Sequence, residues 1–422
     1  MKNDFKLFQL IYVSLIIALI FLMFFELLLF LFYPKHYNRL SDILRIIEQD
    51  SVLIWKQKPN LDTEFQNKNV KTNSLGFRNK EITPKKNIRI VSLGASPTFG
   101  WGVKYEDTYP YVIEKELRNQ NIEVESINAG EIGYSSYQGL KLLDKTVLSL
   151  NPDIITVSYV INDIDKYRFF RSCLKRDSML KPLSNFTVSI YNVINQTNLI
   201  RLINDISVKL KSNRAKYYGN CNIYNENRRV SIDEYENNLN LFADIAQKNN
   251  IKIVFIVMPV NLPVKRTLKD SEKKYMLVSL EEAENEIQNK NYKRAKRILD
   301  RLLCIDKYSP KVYYYLGIIA DMEHNSKLSN DMFEKAKNYE IFDCASVSLK
   351  YNDVMRKVAA ERQISLCDSA KDFKEYKDGY LFVDPELDSF HPNAAGHELI
   401  AKRLAEILIN NYFGNFSNSG SK

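Results

Sequence analysis

Residues 88–103 read IRIVSLGASPTFGWGV. An apolar, β-branched run ends in Gly94. Then come Ala95, Ser96, Pro97 and a glycine-rich turn. A run of four to eight such residues bounded by turn formers predicts a strand buried on both faces. Ser96 falls just past its carboxyl end. Read alone, a G-A-S turn is ordinary, and Ser96 is either a turn residue or a nucleophile held at a sheet edge.

Four further runs of this kind follow: VESINAG from Val124, PDIITVSYV from Pro152, IKIVFIVMPV from Ile251 and ISLCDS from Ile364. Helical patterns lie between them, among them YPYVIEKELRNQ and YQGLKLLDKTVLSL. Strands alternating with helices predict right-handed crossovers, a parallel sheet and helices on both faces. The expected fold class is α/β, a three-layer α/β/α domain. In such sheets the site gathers in the loops at the carboxyl ends of the strands.

The 422 residues are enough for two or three domains on the usual prior of about 100–200 residues each. Residues 8–33 form the first unit. The stretch 10–33 is apolar but for Glu26, and about 20 residues suffice to cross a bilayer as a helix. It is too long for a signal-peptide apolar region and has no small-residue cleavage site after it, so it reads as an uncleaved transmembrane anchor. Residues 34–86 read as a polar juxtamembrane connector ending in NSLGFRNKEITPKK. The α/β domain is expected over 87–269 and 341–412. Two stretches interrupt its alternation. Residues 164–230 are polar and irregular and suggest a cap. Residues 270–340 are helical and strongly charged. There Ala295, Leu299 and Leu302 recur 34 residues later as Ser329, Phe333 and Ala336, and YYYLG spans 313–317. That period fits either a tetratricopeptide-like insertion or an ordinary amphipathic helical hairpin.

The formal charge of +9 is spread along the chain. Its densest patch, KYRFFRSCLKR at 166–176, is short, and no nucleic-acid-binding signature accompanies it. No nucleic-acid partner is expected. None of the five cysteines sits in a C-x-x-C pair, which argues against zinc. Cys304, Cys344 and Cys367 read as core positions. Cys173 and Cys221 flank the irregular stretch and would be free to pair only in an oxidising compartment.

Histidine is scarce: His36, His324, His391 and His397. His391 lies in DSFHPN, three residues after Asp388. On a turn, that spacing lets the carboxylate orient one ring nitrogen and leaves the other as a base. A serine needs such a base to act as a nucleophile. The pattern at Ser96 is not G-x-S-x-G, because Thr98 stands at the second glycine. Acyl transfer also needs oxyanion donors. Gly133, in NAGEIGYSS, and Asn162, in SYVINDID, lie just past the second and third strands. Asn162-Asp163 could equally be a helix cap.

Taken together, these blocks resemble the SGNH (GDSL-like) hydrolase family. GASPTFGWGV, NAGEIGYSSYQG, VIND and DSFHPNAAGH stand in the family's order. The resemblance implies Ser96 as nucleophile, Asp388 and His391 completing the triad, and Ser96, Gly133 and Asn162 as the oxyanion hole. It implies an esterase or acyl-transferring enzyme without metal or organic cofactor, acting on an ester-bearing small molecule or an acylated glycan. NSLGFRNKE and the helical insertion are similar to features of membrane-anchored members, which implies a single-pass protein with its bulk outside the cytoplasm. Two positions depart from the pattern. Ala95 replaces the usual aspartate, and Val160 replaces a glycine, where a branched side chain is expected to reshape the substrate cleft. An alternative is a catalytically idle scaffold in surface-glycan assembly, with a protein partner at the insertion. A lipase or phosphodiesterase acting at the bilayer is a third reading.

Overall fold

The structure is a computed structural model. It describes residues 2–32, 39–164, 169–170, 175–195, 197–200, 202–203, 228–262, 268–385 and 388–414. Two short hairpins come first, β1 (Ile47–Asp50) with β2 (Ile54–Gln57) and β3 (Asp62–Phe65) with β4 (Lys68–Lys71). Five parallel strands then form the central sheet: β5 (Ile88–Gly94), β6 (Val124–Gly130), β7 (Ile154–Ser158), β8 (Lys252–Ile256) and β9 (Ser365–Cys367). Their order is β6-β5-β7-β8-β9. All five fall within the runs read from the sequence.

Successive side chains of a strand point to opposite faces, and here both faces are covered. Val91 and Leu93 of β5 join Ile127, Ile155, Val157 and Phe255 on one side. That side is closed by Tyr235, Leu239 and Phe242 of the helix Ile232–Lys248 and by Tyr351, Met355 and Val358 of the helix Ser326–Glu361. On the other side Ile90, Ile154, Val254 and Ile256 meet Ile113 and Leu117 of the helix Tyr109–Arg118 and Ile400 and Leu404 of the helix Ala394–Leu408. The result is the three-layer α/β/α arrangement.

Residues 34–86 are more than a connector. The short helix Arg39–Ile46 buries Ile46, the two hairpins bury Trp55, Phe65 and Val70, and the segment after them buries Phe77, all in the same core as β5. Trp55 is fully buried, and its Nε1 donates to the Ile132 carbonyl at 2.8 Å. Truncating such a side chain costs about 3–5 kcal/mol. Their polar composition hid this, because strands of only four residues bury polar side chains such as Gln49, Asp50 and Gln57 along with the apolar ones.

The insertion has its own small core, including Leu280, Ala295, Leu299, Leu302, Val312 and Ile319. Ser329, Phe333 and Ala336, at the 34-residue offset, are buried as well. The expected boundary at 340/341 falls inside one helix. Ser326–Glu361 runs unbroken from Phe333 in the insertion to Met355 against the sheet.

The N-terminal helix spans Lys2–Phe32. Its segment Leu10–Phe32 has a mean hydropathy of 3.0, is exposed, and is long and apolar enough to cross a membrane. Cys367 is buried as expected, but Cys304 is exposed, on the outer side of its helix. Cys173, Cys221 and His36 lie outside the described residues, as does most of the expected cap.

Candidate active site

Strand β5 ends at Gly94, where nothing larger fits. A Cβ there would lie 1.9 Å from Thr98 Oγ1 and 2.3 Å from Ser158 Oγ. The chain then turns into the one-turn helix Ser96–Phe99, with Ala95 as its N-cap and Pro97 in the first turn. Ser96 is therefore at the helix start, where backbone N–H groups have no intrahelical acceptor. Arg78, from the NSLGFRNKE stretch, is buried beneath this turn. Its guanidinium donates to the carbonyls of Phe99, Gly100 and Val103 at 3.1, 2.7 and 2.9 Å. Burial lowers its pKa to about 10, which leaves it charged at neutral pH.

Across the sheet edge, His391 Nε2 lies 2.9 Å from Ser96 Oγ. His391 Nδ1 lies 2.9 Å from Asp388 Oδ2 and 3.0 Å from Oδ1. Asp388 Oδ1 also accepts the backbone N–H groups of Phe390 and His391, each at 2.9 Å. Burial, the largest single influence on Asp388, opposes its charge. The charge and N–H of His391 and the two backbone donors outweigh it and hold the carboxyl below its usual range. An ionised carboxylate only accepts. In the neutral imidazole the proton therefore sits on Nδ1, and Nε2 is the acceptor for the Ser96 hydroxyl.

The loop carrying the histidine is held from β8. Asn261, shortly after that strand, donates through Nδ2 to the carbonyls of Pro385 and Asp388 at 2.9 and 3.0 Å. Trp101 stacks on His391, with centroids 5.1 Å apart and planes at 20°.

Gly133 and Asn162 follow β6 and β7, the two neighbours of β5. Gly133 has φ +79°, which glycine adopts without strain. A Cβ there would stand 2.4 Å from Phe169 Cε2. Asn162 donates through Nδ2 to the Tyr134 carbonyl at 3.1 Å, which ties the two loops together. That amide has a second N–H. Behind them, Asp163 Oδ1 accepts the Ser136 N–H at 2.9 Å. Burial pushes the Asp163 carboxyl up to about 7 against the Ser136 donors.

The structure thus brings Ser96, His391 and Asp388 into one hydrogen-bonded series and sets Gly133 and Asn162 on the adjacent strand ends. His324 sits on an exposed turn of the insertion, and His397 is buried on the helix Ala394–Leu408. Val160 corrects an expectation. Its side chain is buried in the core with Val157 and Tyr159, so its bulk is absorbed there instead of reshaping the cleft. Sequence reading missed Arg78, Trp55, Asn261 and Arg229. Arg78 lies in the NSLGFRNKE stretch but its role does not show there, and the other three carry no local mark, since each acts on a loop distant in the chain.

No family model and no curated protein matches the chain. Similar solved structures include the acetyl xylan esterase AlAXEase, 16% identical with a TM-score of 0.36, covering 76% of this chain and 100% of that one. A lipase/acylhydrolase from Enterococcus faecalis is 13% identical with a TM-score of 0.35, covering 76% and 96%. A GDSL-like lipase from Bacteroides thetaiotaomicron VPI-5482 is 12% identical with a TM-score of 0.34, covering 76% and 88%. The fold is a three-layer α/β/α arrangement about a parallel sheet, read from this chain's own strand order and its two covered faces.

Proposed function

We propose that the protein is a membrane-anchored serine hydrolase acting on ester bonds, a deacetylase or O-acyltransferase on glycans, held by the helix Leu10–Phe32 with its bulk outside the cytoplasm. The reading is carried by the series Ser96 Oγ, His391 Nε2, His391 Nδ1 and Asp388, each link 2.9 Å long.

In this mechanism Ser96 Oγ bonds to the ester carbonyl carbon while its proton passes to His391 Nε2. The carbonyl oxygen becomes an oxyanion. The backbone N–H groups of Ser96 and Gly133 and the free amide N–H of Asn162 receive it. Asp388 stabilises the imidazolium. The tetrahedral species collapses, the C–O bond to the leaving alcohol breaks, and Nε2 returns the proton to that oxygen. Water, or a sugar hydroxyl, then attacks the acyl-Ser96 with His391 again as base. Serine is released and the acid, or a new ester, forms. Phe169 packed against Gly133 narrows the space beside the hole, which favours a small acyl group such as acetyl.

Hydrolysis of p-nitrophenyl acetate by the full chain in detergent tests this. Turnover is expected to vanish in both Ser96→Ala and His391→Ala. Turnover unchanged in either variant would remove that residue from the mechanism.

A further inference from the structure

The helix Asn185–Asn195 carries its apolar side outward. At 100° per residue, Phe186, Ile190, Val193 and Ile194 share an arc about 100° wide. They are 76%, 43%, 67% and 43% exposed. Val188 and Asn192, on the opposite side, face the body of the protein. Asn192 is joined to β1 like a neighbouring strand: its Oδ1 accepts the Gln49 N–H at 2.9 Å and its Nδ2 donates to the Gln49 carbonyl at 3.0 Å. A surface helix of a soluble domain has its stripe the other way round.

The segment that follows is fastened to the apolar N-terminal helix. The carboxyl of Glu26 accepts the Asn198 backbone N–H, the Asn198 Nδ2 at 2.7 Å and the Leu199 N–H at 2.9 Å. A carboxyl in a membrane span is costly unless it is satisfied, and here three donors satisfy it. Glu26 lies six residues before the end of the helix at Phe32, a rise of about 9 Å. Asn198 and Leu199 therefore sit beside the span about 9 Å in from its Phe32 end, in the outer part of the acyl-chain layer.

We infer that the helix Asn185–Asn195 is a second membrane contact, lying in the interface of the bilayer that Leu10–Phe32 crosses, with Phe186, Ile190, Val193 and Ile194 turned into the lipid. The inference rests on the anchor reading and adds to it. The occupant is lipid because the helix that carries the exposed arc is held by Asn192 to the catalytic body, and the segment just after it is bound to the span at that depth. An amphipathic helix buried about 5–10 Å into the interface fits this placement. The consequence is orientation. A single point of attachment does not fix the tilt of the body above the membrane. Two contacts on rigid elements hold the Ser96 site at one height and one tilt, facing an acceptor presented at the lipid surface.

The test uses the full chain in phosphatidylcholine vesicles containing lipid brominated high in the acyl chain, which quenches nearby tryptophan. Three single variants are compared: Val193→Trp in the helix, Phe24→Trp in the span and Lys296→Trp in the insertion. The native Trp55 and Trp101 supply a common background. The inference expects Val193→Trp and Phe24→Trp to lose most of their added emission and Lys296→Trp to keep it. If Phe24→Trp is quenched and Val193→Trp is not, the anchor stands and the second contact is overturned. Cross-linking at Val193 then asks whether a second copy covers the arc. If neither is quenched, the anchor reading itself fails, and this inference with it.

Discussion

Arg229 holds Gly133 by its carbonyl: Nη1 donates to that oxygen at 2.7 Å, while Nε and Nη2 close on the carboxylate of Asp177. Both members of the pair are fully buried. Nη2 also reaches Gln138 Oε1 at 2.5 Å, and Ser135 Oγ donates to Asp177 Oδ2 at 2.7 Å. The turn assigned to the oxyanion is thus fixed from below by a charge network that no local motif announces.

Arg229→Met is expected to lower kcat for an acetyl ester by about 10²-fold or more, the scale of losing one oxyanion donor. It also strands a buried carboxylate, which costs about 3–5 kcal/mol. Adding Asp177→Asn removes that charge. The double variant should regain most of its thermal stability while its kcat stays low. Recovery of both together would mean that Arg229 serves the fold and not the position of Gly133.

Asp388→Asn keeps an oxygen for the Phe390 and His391 backbone donors but offers His391 the wrong partner. Loss of kcat on the order of 10⁴-fold is expected, with little change in melting temperature. A loss below about tenfold in steady-state ester hydrolysis would count against its role in orienting the ring.

His397 sets an acid limit on stability. Burial, then the charges of Arg78 and His391, push its pKa from 6.5 down to about 3. Its Nδ1 accepts the Tyr109 N–H at 3.1 Å, and so it is neutral in the fold. Between those two values the unfolded chain binds a proton that the folded chain refuses. The contribution is present above pH 6.5 and is lost as pH falls toward 3, on the order of 2 kcal/mol by pH 5. Urea midpoints at pH 7 and pH 5 should diverge in the wild type and converge in His397→Asn, which keeps an acceptor for Tyr109.

Glu131 works in the opposite direction. Burial raises its carboxyl from 4.5 to about 8, against the donors of Gln57. The fold keeps the proton that the unfolded chain releases above pH 4.5. Its contribution is present below that value and fades as pH rises through 8. Glu131→Gln should therefore be more stable than wild type at pH 8, by up to a few kcal/mol, and close to it at pH 4.5. Equal urea midpoints at pH 8 would show that Glu131 is ionised in the fold.

The sheet was legible because its central strands are buried on both faces, so that most of the runs are largely apolar and end at turn residues. The Ser96–His391–Asp388 series was legible through the order of its blocks and not through spacing alone, because Asp321 precedes His324 by the same three residues without the neighbouring blocks. The hairpins at 47–71 were not, since strands of four residues that bury polar side chains such as Gln49, Asp50 and Gln57 leave no apolar pattern. Arg229 was not, because its partners Gly133 and Asp177 are far from it in the chain, and a buried arginine looks like a surface one until its pairing is known. Val160 was misread for the same reason: the residue is plain in the sequence, but the direction of its side chain is not.

The most direct measurement is the site of labelling by a fluorophosphonate, which phosphonylates only a serine whose proton a neighbouring base can take. Mass spectrometry of the treated full chain should find the adduct on Ser96, absent in Ser96→Ala and strongly reduced in His391→Ala. An adduct on another serine that persists in Ser96→Ala would contradict the account.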